Sequence, residues 1–505
     1  MTDPASQTGA SKALLASNIV YVTLSALGIN VSVFVANWAV IRWYGGTFHG
    51  HLVWLVSAAG LAMLFSDLGL ASGAGIRRIA RLRAARSDKL AEATSAVATL
   101  PLIVAAVLAV VMIAFAGRIA AARGPITGAG SGIDVLAVRL VGAWIVLMAA
   151  VRLCRVLFVG FERMANILLT TPAAQAVKLI WVFVCAGLGL PAIWIFVGWT
   201  GAWAAAVAVS ALRTRAMASA LGLRLQPRVG PLGEALRTVA RALPYYLPQL
   251  SILGLPFIMQ LLISIWQPSI KVSTFQVCFS LALVSRLLAT PISTALLPRV
   301  AHIDASPEAD HEQTAGVLRQ VSRLLGLVGT GVFAAYWAIG PQLLTKLYNP
   351  AYAEAAPALV ILAAAVAVDN YTLQLDQVLM AMRYVGVVAW LEVLRYAVLA
   401  GVACWAIPAH AALGAAMAVL VATCVTAAVK MLAARTRLKG IAAASFACTV
   451  GTFGAVAAAS FLPHGSYFLL PVWLAAALAL RLLRPREIGQ WARILLRSFA
   501  PAKVS

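Results

Sequence analysis

The chain has 505 residues, 62% of them hydrophobic, a mean hydropathy of +0.93 and a formal net charge of +23. A water-soluble protein of this length could not bury so much apolar surface, so the composition excludes a soluble globular protein. Apolar runs of about 20 residues recur along the whole chain, which is typical of transmembrane helices. Because the cations fall mainly between these runs, they indicate membrane topology and contact with anionic lipid. We expect an all-α, polytopic membrane protein that binds no nucleic acid.

Fourteen apolar stretches are long enough to be transmembrane helices. The first is too long for the core of a cleaved signal peptide, so we predict that it is retained. An even number of spans places both termini on the same side of the membrane. The predicted spans are 17–41, 51–75, 93–116, 136–157, 166–188, 192–212, 245–266, 272–297, 324–345, 355–380, 386–407, 411–432, 441–462 and 467–483.

A dense group of cations follows the second predicted span and sets the orientation of the chain. Cytoplasmic loops retain Lys and Arg, because moving these residues across the membrane is unfavourable. Counting from this group places most of the other loop cations, and both termini, in the cytoplasm. The group is Arg77, Arg78, Arg81, Arg83, Arg86 and Lys89, hereafter the 77–89 cluster.

The longest polar break, rich in proline and glycine, separates spans one to six from the rest. A weak internal repeat crosses it, since IRRIA at 76–80 ends the second span and LPRVA at 297–301 ends the eighth. When the two halves are aligned at this offset, Asp67 of the first half nearly corresponds to Arg286 of the second. We predict an N-terminal lobe at 1–212, a cytoplasmic linker at 213–243, a C-terminal lobe at 244–434, and spans 13 and 14 with a basic cytoplasmic tail at 435–505.

No enzyme motif is present in the sequence. There is no P-loop, no GxSxG nucleophile elbow and no HExxH zinc motif. The six cysteines all lie in apolar segments without a CxxC pair, which argues against a disulfide framework or a metal site. His49 and His51 form a lone His-Gly-His that we interpret as the edge of a loop at the membrane interface. We therefore expect no catalytic residues, no metal and no bound cofactor.

Two cations inside the predicted spans are candidates for binding a cargo, because an ionisable group within a bilayer is costly and marks a pathway or a pair. Arg286 lies in the eighth span with no acid within one helical turn, and Lys178 lies near the middle of the fifth. We interpret both as cavity cations that bind an anionic substrate. For Arg286, the alternative is a salt bridge to an acid on another helix.

The carboxylates of the spans are candidates for coupling to an ion gradient. Asp369 and Asp376 are seven residues apart in the tenth span and share a helix face. Asp67 lies in the second span, where it could instead brace the end of the helix beside the arginines that follow. Glu392 lies in the eleventh span three residues before Arg395, so the alternative for this pair is mutual neutralisation within one helix.

Asn30 and Asn37, with Thr23, repeat every seven residues and share one face of the first span. We interpret Asn30, Asn37 and Arg395 as candidates for lining a cavity, although Asn and Thr stripes also join helices to one another. Cationic groups and polar faces together favour a hydrophilic, anionic cargo such as a lipid-linked sugar diphosphate. Such a headgroup needs a water-filled cavity to cross the bilayer.

Four stretches resemble bacterial polysaccharide flippases of the Wzx type. FSDLGLASGAGIRRIAR at 65–81 is similar to the end of the second span in that family. RVLFVGFER at 155–163, ALLPRVA at 295–301 and the segment from Tyr348 to Tyr352 stand where the family has similar stretches. These flippases belong to the MOP (multidrug/oligosaccharidyl-lipid/polysaccharide) exporter superfamily, with the MATE drug transporters and the lipid II flippases.

The resemblance implies two six-helix lobes in a V-shaped, MATE-like bundle, followed by two C-terminal helices. It implies export of an undecaprenyl-diphosphate-linked oligosaccharide across the bacterial inner membrane by alternating access, coupled to an H⁺ or Na⁺ gradient. The product would be a surface polysaccharide such as an exopolysaccharide, O antigen or capsule. Membrane lipids, a polysaccharide polymerase and other assembly proteins would be its partners, and Arg286 and Lys178 would supply a cationic cavity.

Three other interpretations stay open. A lipid II flippase is the first, although Thr23, Asn30 and Asn37 stand where we would expect arginines in its first span. A drug or metabolite antiporter of the MATE kind is the second, with the carboxylates of the spans binding protons or Na⁺. A structural membrane scaffold is the third, and it would leave the charges inside the membrane unexplained.

Overall fold

The protein is all-α in the part of the chain that the structure describes, as the sequence predicts. Every regular element there is a helix. The predicted span 441–462, the span 467–483 apart from Trp473, all members of the 77–89 cluster, and the LPRVA stretch at 297–301 lie outside this part. The structure, a computed structural model, describes residues 4–69, 79, 90–122, 134–161, 163–222, 232–287, 311–381, 384–437 and 473.

The helices follow the predicted apolar stretches in order. Leu283–Ser285 and Pro350–Ala355 are short 3-10 turns between longer helices. The α-helices are α1 (Pro4–Asp67), α2 (Leu90–Ala114), α3 (Ala116–Ala122), α4 (Val135–Gly160), α5 (Ala165–Gly187), α6 (Ile193–Ala220), α7 (Leu232–Trp266), α8 (Ser269–Ala282), α9 (His311–Leu347), α10 (Ala356–Ala381) and α11 (Val385–Arg437).

Two of these helices are long enough to cross a bilayer twice. The apolar part of α1 has 44 residues and that of α11 has 49, whereas about 20 residues cross the hydrocarbon core. Each breaks once, at Gly45 (φ 85°, ψ 161°) and at Ala411 (φ 49°, ψ −122°). We call the segments 46–67, 385–410 and 412–437 α1b, α11a and α11b. The first and second predicted spans are therefore parts of one helix that breaks at Gly45. The eleventh and twelfth are parts of another, which breaks at Ala411.

Seven of the described helices are long and apolar enough to cross a membrane, or nine if each of two bent pairs counts as one span. One bent pair joins α2 to α3 at 60°, and the other lies within α7, which contains Pro244, Pro248 and Pro256. Proline removes a backbone donor and bends a helix. The predicted number of fourteen spans stays unconfirmed, since two spans lie outside the described part and the eighth is described only to residue 287.

The chain divides into two compact units. The first unit comprises residues 20–277 and 407–412, and the second comprises 1–19, 278–406 and 413–505. Helix α7 therefore belongs to the first unit, although the sequence places it in the C-terminal lobe. The predicted lobe boundaries stay a prediction. Within the predicted linker 213–243, helix α6 continues to Ala220 and α7 begins at Leu232.

The core of the first unit forms around α4, which packs against α2 and α6. Trp144 of α4 is almost fully buried. Its ring stacks on Phe196 with the centroids 5.9 Å apart, and its Nε1 donates a hydrogen bond to Thr200 Oγ1 over 2.6 Å. The indole thus buries a large apolar surface and still satisfies its one polar atom, as a buried tryptophan requires.

Glycines allow α1b to lie very close to α7 and α8. A Cβ added at Gly50 would overlap the carbonyl oxygen of Ser269, and one added at Gly60 would lie 2.6 Å from the ring of Phe257. Polar groups accompany this contact, because Ser57 donates a hydrogen bond to Gln260. Small residues are the usual means by which membrane helices approach each other, since lipid supplies no hydrophobic force between them.

The predicted interface loop at His49 and His51 is wrong, because both residues are buried in helix α1b. The Nδ1 of His49 lies 2.7 Å from the hydroxyl of Ser273, and the Nδ1 of His51 lies 3.1 Å from the hydroxyl of Ser269. The sequence alone did not indicate that α8 supplies two hydroxyl groups one helical turn apart. These partners make the two imidazoles compatible with a buried site.

Replacing Gly50 with Ala should destabilise the protein by about 1–3 kcal/mol, because the new methyl group overlaps the backbone of α8. The measurement is thermal unfolding of the purified protein in detergent. Gly201→Ala in α6 is the matched control, since its added Cβ meets nothing within 4 Å. The control should keep or slightly raise the melting temperature through its better helix propensity. Equal melting temperatures for Gly50→Ala and the parent would contradict the close contact.

The second unit is built around α9 and α10, which pack along each other. A Cβ added at Gly329 of α9 would lie 2.6 Å from the Cβ of Ala367 of α10. The hydroxyl of Tyr336 donates to the carbonyl of Leu281 over 2.7 Å, which attaches the end of α8 to α9. These contacts fix the positions of α10 and of the end of α8. Arg286 follows α8 closely, and α10 carries Asp369 and Asp376.

Candidate functional site

Six charged side chains lie close together inside the helices of the second unit, and we call them the charge network. Asp369 and Asp376 lie on one face of α10, as their spacing predicts. The members are Arg286, just after the 3-10 turn that follows α8, Asp369 and Asp376 of α10, Glu392 and Arg395 of α11a, and Lys430 of α11b.

Asp369 lies between two guanidinium groups. The Nη2 of Arg286 donates a hydrogen bond to one carboxylate oxygen, and the Nη1 of Arg395 lies 2.8 Å from the other. Arg395 also donates from Nη2 to the hydroxyl of Thr423 on α11b over 3.2 Å. The carboxylate of Asp369 therefore joins the end of α8 to α11a, and Arg395 extends the connection to α11b.

Lys430 lies between two carboxylates in the same way. Its Nζ is 2.8 Å from Asp376 Oδ2 and 2.7 Å from Glu392 Oε1, and its side chain is only 2% exposed. These are lengths of charge-assisted hydrogen bonds. Arg395 Nη1 lies 3.8 Å from Glu392 Oε2 and connects the two halves of the network.

Three cations and three carboxylates make the charge network neutral as a set. Neutrality matters here because an unpaired charge in a membrane-buried site costs several kcal/mol. The balance is uneven locally, since Asp369 has two cations and Lys430 has two carboxylates. Asn370 adds a neutral link, donating from Nδ2 to the hydroxyl of Ser285 over 3.1 Å.

These contacts favour some sequence interpretations over others. Arg286 has the interhelical salt bridge that we considered as its alternative role, so it is not an isolated cation. Glu392 and Arg395 have closer partners on other helices than they are to each other. The sequence missed Lys430, because a lysine near the end of a span looks like a cation that reaches to the interface. Its seven-residue spacing from Thr423, which puts both on one face of α11b, was the available signal.

Lys178 is a buried cation of the first unit with a different environment. It lies on the buried face of α5, and its Nζ is 3.8 Å from the ring centroid of Trp203 and 5.3 Å from that of Trp199. The negative faces of indole rings attract an ammonium group. In the part of the chain that the structure describes, no carboxylate forms a salt bridge with Lys178. The sequence did not indicate these two tryptophans as its partners.

Asp67, at the end of α1b, pairs with an arginine of another helix. Its Oδ2 is 3.0 Å from Nη2 of Arg152 on α4. The arginines of the 77–89 cluster, which the sequence suggested as its neighbours, lie outside the described residues. Asn30 is exposed and donates to the carbonyl of Ala26 over 2.7 Å, and Asn37 is half-buried. Asp67, Lys178 and these asparagines belong to the first unit and are not members of the charge network.

Replacing Arg152 with Met should lower stability by up to about 3–5 kcal/mol, because Asp67 stays buried with one cation fewer. Thermal unfolding in detergent measures the loss. Arg139→Met on the same helix is the matched control, since Arg139 is exposed, and it should change stability little. Adding Asp67→Asn to Arg152→Met should recover part of the loss. A double variant as unstable as the sum of the single variants would show that the two side chains do not interact.

No protein-family model and no curated protein sequence matches the chain. Solved structures do match it. The lipid II flippase MurJ, in an inward closed conformation, aligns with 95% of this chain and 100% of its own at a TM-score of 0.66 and 11% identity. An inward-facing multidrug resistance transporter of the MATE family aligns with 84% of this chain and 95% of its own, at a TM-score of 0.59 and 17% identity.

A third structure, a MOP superfamily transporter from Pyrococcus furiosus, aligns with 85% of this chain and 94% of its own, at a TM-score of 0.53 and 16% identity. At these identities the likeness shows the fold alone. The chain is a polytopic, all-α membrane protein with the fold of MurJ and the MATE transporters, as the resemblance implied. The likeness does not distinguish a polysaccharide flippase from the other proteins of that fold.

Proposed function

We propose that the protein is a flippase that moves an undecaprenyl-diphosphate-linked oligosaccharide across the bacterial inner membrane by alternating access, for the synthesis of a surface polysaccharide. The observation that carries this proposal is the likeness to a lipid II flippase over nearly the whole of both chains. The short sequence stretches that resemble Wzx flippases favour an oligosaccharide cargo. A flippase of this kind needs no catalytic residue, and its energy comes from an H⁺ or Na⁺ gradient.

The first unit offers the simpler anion site. Lys178 is a buried ammonium group that lies against two aromatic rings, and no carboxylate of the described residues forms a salt bridge with it. A diphosphate that enters the membrane must find such donors once it leaves the water of the headgroup region. We infer that Lys178 attracts the diphosphate while the indole rings hold the ammonium in place.

Arg286 is the second cationic candidate, and its role is conditional on an exchange of partners. Its guanidinium binds Asp369, so a diphosphate would have to replace that carboxylate. The exchange is chemically reasonable, because a guanidinium binds phosphate and carboxylate oxygens with the same planar pair of donors. Arg395 would still neutralise Asp369 after the exchange, since it lies 2.8 Å from the other oxygen.

Two alternative cargoes have specific support. The likeness to MurJ favours lipid II, which also carries a lipid diphosphate. The likeness to MATE transporters and the buried carboxylates Asp369, Asp376 and Glu392 favour an ion-coupled antiporter of drugs or metabolites. Complementation separates the three, since a polysaccharide flippase restores surface polysaccharide to a deletion strain. A lipid II flippase would rescue cell-wall synthesis, and an antiporter would confer drug resistance.

Variants of Arg286 distinguish a role in binding the cargo from a role only in the salt bridge with Asp369. If Arg286 binds the diphosphate, Arg286→Ala should abolish polysaccharide export at normal protein level. Arg286→Lys should restore export in part, because lysine keeps the charge and loses the planar pair of donors. Arg286→Glu should export less than Arg286→Ala, because its negative charge repels the diphosphate. If the arginine only neutralises Asp369, Arg286→Ala should instead lower the protein level. Polysaccharide yield and protein level are measured together in a complemented deletion strain.

The double variant Arg286→Ala with Asp369→Asn sharpens this test, since it removes both charges of the pair. It should recover protein level and still fail to export if Arg286 binds cargo. Lys178→Met should reduce export in the same assay, whereas Lys346→Met, at an exposed lysine, should not. Normal export by Arg286→Glu at normal protein level would overturn the cargo role of Arg286.

We propose that both termini, the 77–89 cluster and the 213–243 linker face the cytoplasm. Single cysteines on a cysteine-free background measure this. A cysteine at position 83 should stay unlabelled when an impermeant thiol reagent is added outside intact spheroplasts. A cysteine at Lys346, an exposed position predicted to face outwards, should be labelled. The reverse pattern would invert the proposed topology.

A further inference from the structure

We propose that Asp376 and Glu392 form a site for a monovalent cation, and that the ammonium group of Lys430 occupies this site. The site therefore exchanges a proton and not a metal ion. The proposal rests on the ion coupling of the proposed function and names its chemistry. It concerns three residues of the second unit that lie on three different helical segments. The spacing of polar residues within the spans indicates the two acids but not the lysine.

The position of Lys430 is that of a bound cation. Its Nζ lies 2.8 Å from Asp376 Oδ2 and 2.7 Å from Glu392 Oε1. The carboxylates come from α10 and α11a, and the ammonium comes from α11b. A singly charged ion bound by two acids from separate helices would occupy the same place. Because the ammonium is covalently attached, it cannot leave with a transported ion, and a metal ion would have to compete with it.

The two carboxylates also have unused acceptor atoms. Asp376 Oδ1 and Glu392 Oε2 are buried and accept no hydrogen bond from the described residues, and the two residues are 8% and 2% exposed. The cation nearest to Glu392 Oε2 is Arg395 Nη1, at 3.8 Å, beyond hydrogen-bond distance. A buried acceptor without a donor is unfavourable. Each of these oxygens is therefore a place at which a proton can bind and form an O–H bond.

The local charge sets the number of protons. Arg286 and Arg395 lie against Asp369, so Lys430 is the only cation of the described residues at hydrogen-bond distance from Asp376 and Glu392, and Arg395 lies 3.8 Å from Glu392 Oε2. At hydrogen-bond distance, two carboxylates therefore face one ammonium group, which is an excess of one negative charge at the lysine. One proton from water on either carboxylate removes that excess, while Lys430 keeps its charge and its bond to the other carboxylate.

Among the described residues, Asp369 and Arg395 also interact electrostatically with the groups of this site, and the hydroxyl of Tyr396 interacts with Arg395. A sodium ion between Asp376 and Glu392 would share these carboxylates with the ammonium group of Lys430. Two cations side by side in a buried site repel each other, which favours the proton.

Removing the ammonium should turn the site into one for a metal ion. In Lys430→Met, the two carboxylates lose their counter-cation, so the variant should melt at a lower temperature than the parent in choline chloride. Replacing choline with Na⁺ or K⁺ at constant ionic strength should raise its melting temperature by at least about 2 °C, in a saturable manner. The parent protein should not respond to the same replacement.

Two controls identify the atoms responsible. Lys346→Met, which removes an exposed lysine, should behave like the parent. Adding Asp376→Asn and Glu392→Gln to Lys430→Met should abolish the response to Na⁺ and K⁺. A parent protein that Na⁺ stabilises as much as the variant would overturn the proposal. A folded Lys430→Met that is indifferent to both ions would also overturn it.

Glu392→Gln gives a second measurement that does not depend on whether Lys430→Met folds. This variant keeps one ammonium and one carboxylate, so the local charge is balanced without a proton. Infrared spectra of the purified parent should gain a protonated-carboxyl band as the pH is lowered in Na⁺-free buffer, and Na⁺ should not suppress it. Glu392→Gln should lose that band. An unchanged band in the variant, or its suppression by Na⁺ in the parent, would refute proton exchange at this site.

Neither measurement uses a cargo. Both are made on the purified full-length protein, so they stay readable if the polysaccharide complementation fails. Conversely, a positive complementation with a Na⁺-responsive parent protein would keep the proposed flippase and reject the proton site.

Discussion

The need to pair every charge that is buried among membrane helices is the constraint on which this structure depends. Hydrocarbon gives no hydration to an ion, so a charged side chain in a span must find a partner in the protein. In the second unit, that requirement joins the end of α8, α10 and both parts of α11 through one charge network. Asp369 has a cation on each oxygen, and Lys430 has a carboxylate on each side. Moving any one of these segments alone would break at least one of these ion pairs.

The first unit meets the same constraint by separate, smaller solutions. Asp67 pairs with Arg152, Lys178 lies against two indole rings, and His49 and His51 contact hydroxyl groups of α8. Close approach of the backbones accompanies these contacts, because α1b presents glycine to α7 and α8. Each of these contacts joins two or three residues of the described part of this unit, whereas the charge network joins six.

The difference between the units gives each a separate part in the proposed transport. An ammonium held by aromatic rings keeps its attraction for an anion, which suits the diphosphate of a lipid carrier. The charge network is neutral as a set, but two of its carboxylates face the single ammonium group of Lys430. This arrangement suits the binding and release of a proton. Coupling between cargo and ion would then require a conformational change that both sites influence, which is the general condition for linked equilibria.

The sequence by itself determined the helices, because an apolar run long enough to cross a bilayer is a local property. Twelve of the fourteen predicted spans fall on helices of the described part, although the second and the eighth are covered only in part. The shared face of Asp369 and Asp376 also followed from helix periodicity. Only the tertiary structure decided which charges meet, since Arg286 and Asp369 are 83 residues apart and Lys430 and Glu392 are 38 apart. Spacing within one helix cannot indicate a partner on another, because that choice depends on how the helices pack. For the same reason, the sequence missed Lys430, and it assigned a buried pair of histidines to a loop.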